Sequence, residues 1–174
     1  ITFDEALRTV NGFIEEKEPR YIVTPNVDHI MITLRDKRFR QIYKDADLVL
    51  ADGMPLLWAS RFLGTPLKQK ISGSDLFPRI CEMAAKKGYS VYFLGGNHTD
   101  AERARTILCR RYPGLKAMGS YCPPFGLENS ESEKNKIVHA IREKKPDILF
   151  VGLGAPKQEK WIFKYYKETG VPVS

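Results

Sequence analysis

Residues 48–55 read Leu-Val-Leu-Ala-Asp-Gly-Met-Pro, and this stretch indicates the fold class. A short apolar run of this kind is typical of a strand buried in a parallel sheet, and open α/β sheets bind ligands at the carboxyl ends of their strands. Gly53 permits a tight turn, and Pro55 suits the first turn of a helix over residues 54–62. Asp52 is therefore expected at a strand exit. There its carboxylate either acts as a base or caps the helix, and the stretch alone favours neither interpretation.

The composition indicates one folded domain. Of the 174 residues, 43% are hydrophobic and 28% are charged, which allows a sizeable core. No apolar run reaches the roughly 18 residues of a membrane span, and the first residues lack the basic and apolar regions of a signal peptide. The three cysteines are odd in number and lack CxxC spacing, which argues against a zinc site or a disulfide framework. We therefore expect a soluble, cytoplasmic protein with reduced thiols.

The formal charge of +7 is concentrated late in the chain. From Lys134 to Lys167 there are nine Lys or Arg residues and three acidic ones. Such a surface favours phosphate-rich partners, although a solvated helix surface is the simpler explanation. The aromatic residues of this stretch recur at helical spacing and do not form a stacking platform, so nucleic acid is not an expected partner.

Strand and helix patterns alternate along the chain. Apolar residues at intervals of three and four predict an amphipathic helix over residues 3–16. Strands are predicted at residues 20–24, 48–51, 90–94, 115–121 and 147–151, a helix capped by Asn26 follows the first of them, and further helices are predicted at residues 36–45, 54–62, 74–87, 101–112, 131–144 and 156–167. Residues 171–173 begin a last strand. This alternation predicts a Rossmann-like α/β fold, a mostly parallel sheet with helices on both faces.

The common nucleotide and hydrolase motifs are absent from the sequence. Gly152-Leu153-Gly154 is not a dinucleotide fingerprint, because the third glycine would fall at Lys157. No P-loop, GxSxG or HExxH motif occurs. Residues 45–47 read Asp-Ala-Asp, the DxD string of metal-dependent sugar transferases, but they precede their strand and so lie away from the expected ligand edge. We therefore expect no bound metal and no other cofactor.

Five motifs, taken together, resemble the WecG/TagA/CpsF glycosyltransferase family over nearly the whole chain. In the family's order they are residues 24–29 (Thr-Pro-Asn-Val-Asp-His), 51–55 (Ala-Asp-Gly-Met-Pro), 72–75 (Ser-Gly-Ser-Asp), 93–96 (Phe-Leu-Gly-Gly) and 151–159 (Val-Gly-Leu-Gly-Ala-Pro-Lys-Gln-Glu). The resemblance implies a single glycosyltransferase core domain over residues 1–174, peripheral at the inner face of the cell membrane.

The resemblance also implies an activity. It is the inverting transfer of N-acetylmannosamine from UDP-N-acetylmannosamine to the 4-hydroxyl of the N-acetylglucosamine on undecaprenyl diphosphate, with a β linkage, in wall teichoic acid synthesis. Two alternatives stay open. One is the family's use of the N-acetylmannosaminuronic acid donor, and the other is a non-catalytic nucleotide-binding module.

Family members continue past the last strand into a basic C-terminal segment, whose arginines are implicated in the active site and in membrane contact. The resemblance therefore implies that this chain lacks that segment, and that contact with an anionic membrane surface lies there. The oligomeric state stays open, with a homo-oligomer among the options.

The candidate site residues follow from these motifs and from the predicted strand exits. Asp52 and Thr24 are the candidate catalytic residues. Asp52 would take the proton of the acceptor hydroxyl, and Thr24 would donate or accept a hydrogen bond at the adjacent exit. The paired glycines at residues 95 and 96 would leave backbone N–H groups open to a phosphate, and these turns would hold the nucleotide together with Gln158. A lone His on a helix, such as His29, is more often structural, and an exposed lysine at a helix start explains Lys157 equally well. The candidate substrate-binding residues are Asn26, His29, Ser72, Gly73, Gly95, Gly96, Gly152, Gly154, Pro156, Lys157 and Gln158.

Overall fold

The computed structural model describes residues 1–96, 98–124 and 130–174, with the backbone alone for residues 98–102. Helices and strands alternate in it as the sequence predicts. In chain order they are α1 (Phe3–Glu16), β1 (Ile22–Val23), α2 (Val27–Arg35), α3 (Lys37–Lys44), β2 (Leu48–Val49), α4 (Met54–Phe62), α5 (Gly73–Lys87), β3 (Ser90–Gly95), α6 (His98–Arg111), β4 (Lys116–Tyr121), α7 (Glu131–Lys144), β5 (Ile148–Gly152) and α8 (Lys157–Thr169).

The strands pair in parallel. β1 pairs with β2, and β3 lies between β4 and β5. Residues 171–174 connect the two groups, because Val173 bridges both Arg20, just before β1, and Ile148 in β5. The Leu149 N–H donates to the Val173 carbonyl at 2.8 Å. The resulting order, β2-β1-(171–174)-β5-β3-β4, confirms the Rossmann-like parallel fold. At the strand predicted for residues 171–173, the structure has isolated bridges of Val173 and no regular strand.

Helices cover both faces of the sheet, as predicted. Side chains alternate along a strand with a period of two, so Tyr92 and Leu94 enter one core while Val91 enters the other. The first core contains buried residues of α3, α7 and α8. The second contains those of α1, α5 and α6. Each core is closed by helices that the sequence pattern identified.

The chain leaves β3 and β5 toward opposite faces. α6 follows β3 and contributes Leu108 to the second core, whereas α8 follows β5 and contributes Ile162 to the first. Neighbouring strands whose helices turn to opposite faces leave a crevice at their carboxyl ends, where open α/β sheets bind ligands. The fold therefore places a ligand crevice beside Gly95 and Gly152.

Several predicted boundaries were wrong. β2 ends at Val49 instead of residue 51, and α6 begins at His98 instead of residue 101. β1 is shorter than residues 20–24, because the Arg20 backbone pairs with Val173 through an isolated bridge and not with β2. α5 begins one residue earlier than predicted, and its N-cap is Ser72 instead of Ser74, because the Ser72 hydroxyl accepts the Asp75 N–H. α8 begins at Lys157 and continues to Thr169, with Pro156 as an N-cap that makes no side-chain hydrogen bond.

Candidate active site

Glycine forms the crevice between β3 and β5. Gly95 and Gly152 are paired in register, and Gly95 has a φ of +120°. A Cβ at Gly95 would lie 2.1 Å from the Gly152 carbonyl oxygen, so only glycine fits there. The Gly96 N–H donates to that same carbonyl at 3.3 Å. The expectation that this N–H is open to a phosphate is therefore wrong for Gly96 in this structure.

A cavity of about 450 Å³ opens at this crevice and extends along the sheet beneath α5. Its walls are largely apolar, with a few polar groups at one end, as is typical of small-molecule sites. The predicted site residues that line it are Thr24, Gly73, Gly95, Gly96, Gly152 and Gln158. The structure thus brings together residues from four of the five motifs. We call the exits of β3 and β5, with Gly95, Gly96 and Gly152, the glycine end of the site.

The N-terminus of α5 packs against Thr24. A Cβ at Gly73 would lie 3.1 Å from the Thr24 Oγ1, so glycine at this position allows the close approach. Ser72 is buried, and its hydroxyl is already committed: it donates to the Asp75 carboxylate at 2.6 Å and accepts the Asp75 N–H at 3.2 Å. In this structure Ser72 shapes the helix end that faces Thr24, and its side chain does not line the cavity.

Asp52 lies at the neighbouring exit, that of β2. Its N–H donates to the Pro25 carbonyl at 2.8 Å, which extends the pairing of β1 and β2 and sets Asp52 beside the residue that follows Thr24. Its side chain is half-buried. Among the described residues, its carboxylate has no hydrogen-bond or ion-pair partner. We call the exits of β1 and β2, with Thr24, Asn26 and Asp52, the side-chain end of the site.

The structure rules out the capping interpretation of Asp52. The N-cap of α4 is Gly53, at a φ of +121°, and no side chain caps the helix. Pro55 stands in the first turn, as predicted. The half-buried Asp52 carboxylate at the ligand edge does not cap α4 and has no partner among the described residues, so it can accept a proton.

Asn26 and His29 cap α2 reciprocally, which confirms Asn26 as the cap. The Asn26 side chain accepts the His29 N–H, and the His29 Nδ1 accepts the Asn26 N–H, both at 3.1 Å. Because Nδ1 carries a lone pair toward Asn26, the neutral ring has its proton on Nε2. That nitrogen lies 3.4 Å from Glu159 Oε1. His29 therefore connects the side-chain end of the site to α8.

Glu159 is the residue that sequence reasoning missed. Its side chain is only 6% exposed, and it lines the cavity. Besides facing His29, its Oε1 accepts a hydrogen bond from the Gln158 amide at 2.9 Å, and the Gln158 Oε1 accepts the Gly154 N–H at 3.1 Å. Both ends of the Gln158 amide are thus engaged within the protein. The available signal was its place as the last residue of the 151–159 motif.

The charge of Glu159 reaches a second buried group. Burial raises the pKa of the Tyr43 hydroxyl, and the negative charge of Glu159 raises it further. The Tyr43 hydroxyl, the His29 Nε2 and the Glu159 Oε2 are all buried without a hydrogen-bond partner among the described residues. A network of side chains therefore runs from the first motif to the last, and three of its buried polar atoms make no hydrogen bond within the described part of the chain.

The remaining predicted residues lie at the edge of this arrangement. Gly154 and Lys157 are exposed, and Pro156 is half-buried at the start of α8. They belong to the same turn as Gln158, but none of the three lines the cavity. The Asp-Ala-Asp string lies at the other end of β2, where Asp45 is the C-cap of α3 and Asp47 bonds Arg20 and the Tyr21 N–H, as a structural interpretation predicts.

The basic late stretch is partly neutralised by acidic residues of other segments. Lys160 pairs with Asp36 at 3.1 Å, and Lys164 pairs with Glu131 at 3.3 Å. Within the described ranges, no group of three or more His, Cys, Asp or Glu side chains is placed to hold a metal ion. The described helices are also too short or too polar to cross a bilayer.

Comparison with known proteins adds a family and named relatives. The family model described as "Glycosyl transferase WecG/TagA/CpsF family" matches residues 1–174. An N-acetylglucosaminyldiphosphoundecaprenol N-acetyl-beta-D-mannosaminyltransferase of Bacillus spizizenii is 29% identical over 154 residues, which are 88% of this chain and 57% of the relative. A protein of the same name from Staphylococcus aureus is 31% identical over 145 residues, 83% of this chain and 55% of the relative. The chain thus spans little more than half the length of these curated relatives.

Proposed function

Because the chain belongs to the WecG/TagA/CpsF glycosyltransferase family, we propose that it is an inverting glycosyltransferase that moves N-acetylmannosamine from UDP-N-acetylmannosamine to N-acetylglucosaminyl-diphospho-undecaprenol. The names of the relatives support the acceptor and the transferred sugar. The UDP donor, the β1-4 linkage and a place in wall teichoic acid synthesis are parts of the same proposal.

One observation carries this proposal: the unpartnered Asp52 carboxylate at the side-chain end of the site. Inverting transfer needs a base within reach of the attacking hydroxyl. Asp52 takes the proton from the acceptor 4-hydroxyl, the 4-oxygen bonds to the donor anomeric carbon, and the bond from that carbon to the diphosphate breaks. UDP leaves with the bonding electron pair, and an α-linked donor gives a β-linked product.

The glycine end of the site suits the nucleotide. Without side chains at Gly95, Gly96 and Gly152, a base or a ribose can lie directly against the backbone of the crevice. The diphosphate then lies toward Thr24 and the N-terminus of α5, where the partial positive charge of the helix end stabilises an anion. In this arrangement Gln158 acts through the turn that it holds at Gly154, since its amide is already bonded within the protein.

Release of UDP by the full-length protein tests the proposal. With UDP-N-acetylmannosamine as donor, we expect UDP only when the lipid-linked acceptor is present, and no loss of activity with a chelator. The same assay with UDP-N-acetylmannosaminuronic acid is the matched control for the donor. Faster turnover with the uronic acid would overturn the donor assignment, and tight binding of UDP without turnover of either donor would instead favour a nucleotide-binding module.

A further inference from the structure

α4 presents an apolar surface to solvent. Met54, Trp58 and Phe62 are 44%, 60% and 92% exposed, and Leu63, just after the helix, is 73% exposed. The buried residues of the helix are Leu57 and Ser60. A surface helix of a water-soluble domain normally directs its apolar side chains inward. In α4 the largest apolar side chains point the other way.

The spacing of these residues makes the exposure a continuous stripe. Residues four apart are neighbours on one side of a helix, so Met54, Trp58 and Phe62 form a single row. α2 repeats the pattern, with Ile30, Met31 and Leu34 at 41%, 47% and 63% exposure. Scattered exposed apolar residues are normal, whereas a grouped set marks a contact surface.

Both helices begin beside the candidate base. The hydrogen bond from the Asp52 N–H to the Pro25 carbonyl joins the two strand exits. α2 starts at Val27 and α4 starts at Met54, so each helix begins two residues beyond that bond. The two apolar stripes therefore extend from the side-chain end of the site.

Each stripe is accompanied by a cation. Arg35 lies in the last turn of α2, and Arg61 in the last turn of α4. Both are exposed, and neither has an acidic partner among the described residues. From residue 54 to residue 71 the sequence has no acidic residue and three basic ones, of which Lys68 and Lys70 pair with Glu5 and Asp75 and Arg61 has no acidic partner among the described residues. Apolar and aromatic side chains interspersed with cations fit the interface of an anionic bilayer.

We propose that the outward faces of α2 and α4 form a surface that contacts an anionic membrane and brings Asp52 to an acceptor held there. The proposal rests on the proposed function, in which the acceptor carries a polyprenyl chain. It adds a membrane contact within the chain to the C-terminal one expected from the sequence. A second copy of the chain covering the same surface is the competing occupant, and self-association without lipid would reveal it.

Vesicle binding tests this surface directly. On vesicles of mixed phosphatidylcholine and phosphatidylglycerol, the emission of Trp58 should shift to shorter wavelength, while Trp161, only 5% exposed, contributes a constant background. Trp58→Phe should abolish the shift. The double variant Phe62→Ser/Leu63→Ser should weaken sedimentation with the vesicles at least about tenfold, equivalent to about 1.4 kcal/mol.

A matched control and a lipid control complete the experiment. Ile107 on α6 is 52% exposed, so Ile107→Ser removes a comparable apolar group elsewhere and should leave binding unchanged. Pure phosphatidylcholine vesicles should bind less protein than the mixed vesicles. High salt should weaken the binding to mixed vesicles but leave a residual part, because the apolar contribution is not screened.

Two results would overturn the proposal. One is equal vesicle binding by the chain and the Phe62→Ser/Leu63→Ser variant, both folded by circular dichroism. The other is self-association without lipid that this variant abolishes, which would assign the surface to a second copy. Turnover with a short-chain, water-soluble acceptor separates this proposal from the proposed function. In the full-length protein the variant should keep that turnover, whereas its absence in the unmodified full-length protein would refute the function and not the surface.

Discussion

The two ends of the candidate site differ in the groups that line them, which are polar side chains at one end and backbone at the other. At the side-chain end, the exits of β1 and β2 carry a hydroxyl, an amide and a carboxylate, and the Asp52 carboxylate has no partner among the described residues. At the glycine end, Gly95, Gly96 and Gly152 have no side chains, and their backbone forms the wall. The same sheet edge thus separates a region suited to proton transfer from a region suited to close contact with a nucleotide. Mutations should therefore affect chemistry at one end and fold or donor affinity at the other.

The largest expected effect is at Asp52. Asp52→Asn keeps the size of the side chain but removes the base, so turnover should fall by about 10²–10⁴-fold. Stability should change little, because the carboxylate makes no hydrogen bond or ion pair in the part of the chain that the structure describes. The rate of UDP release and the urea unfolding midpoint measure these two effects.

Asp45→Asn is the matched control for Asp52→Asn, because it makes the same chemical change at the opposite end of β2. Its carboxylate accepts a bond from Gln41 and lies away from the ligand edge, so turnover should stay near normal. If Asp52→Asn also turned over normally, the two ends of the site would no longer differ in the way proposed here.

Much of the side-chain end could be predicted from the sequence. A buried strand, a glycine and a proline fix where the chain turns, so Asp52 was placed at a strand exit without a structure. Periodicity also predicted the helices, because spacing identifies an amphipathic segment. Periodicity could not predict which side of α4 packs against the rest of the protein. The outward row of Met54, Trp58 and Phe62 depends on where the neighbouring segments pack, which is a tertiary property.

The glycine end was less predictable in detail. Paired glycines indicated a phosphate-binding turn, but the Gly96 N–H bonds the Gly152 carbonyl of a strand distant in sequence. Glu159 was overlooked for a related reason. An acidic residue in the first turn of a helix normally faces solvent and complements the helix dipole, and only packing against His29 shows that this one is buried.

The next largest effect should come from Gly95→Ala. A Cβ there would lie 2.1 Å from the Gly152 oxygen at a φ of +120°, so the strands must separate. We expect a loss of about 3 kcal/mol or more in the free energy of unfolding, above the 1–3 kcal/mol typical of backbone strain alone, and at least about tenfold weaker UDP binding.

Gly96→Ala gives the comparison for Gly95→Ala. At Gly96 a Cβ meets none of the described atoms within 4 Å, although φ is +73°, so only the left-handed conformation is penalised, by about 1–2 kcal/mol. Equal losses in urea unfolding for the two variants would show that strain, and not the close approach of β3 and β5, explains the glycine end.

Substitution of Glu159 should have a smaller effect. It should lower stability, whereas Asp52→Asn should lower turnover and leave stability nearly unchanged. Glu159→Ala removes the acceptor of the Gln158 amide and the carboxylate that faces the His29 Nε2, which should lower the free energy of unfolding by about 1–3 kcal/mol. Glu159→Gln retains an acceptor oxygen and should recover most of that stability. Urea unfolding of the two variants measures the difference. A Glu159→Ala protein as stable as the unmodified chain would mean that the carboxylate is as free as that of Asp52.

The smallest expected effect is the pH dependence at Asp75, beside the α5 N-terminus that links the two ends of the site. Hydrogen bonds from the Ser72 hydroxyl and then from Lys70 lower the pKa of the Asp75 carboxyl. A lowered pKa in the folded state stabilises the protein above the unfolded value of about 3.9, and this stabilisation is lost as pH falls through the folded value. Asp75→Asn should therefore melt slightly below the unmodified chain near neutral pH, and the gap should close on acidification below about pH 4. Because the carboxylate is exposed, the gap should be small.

Repeating the comparison in a Ser72→Ala background removes the principal cause of the shift and should reduce the gap at neutral pH. A melting difference that stayed constant across this range would mean that the Ser72 and Lys70 contacts do not depend on the charge of Asp75.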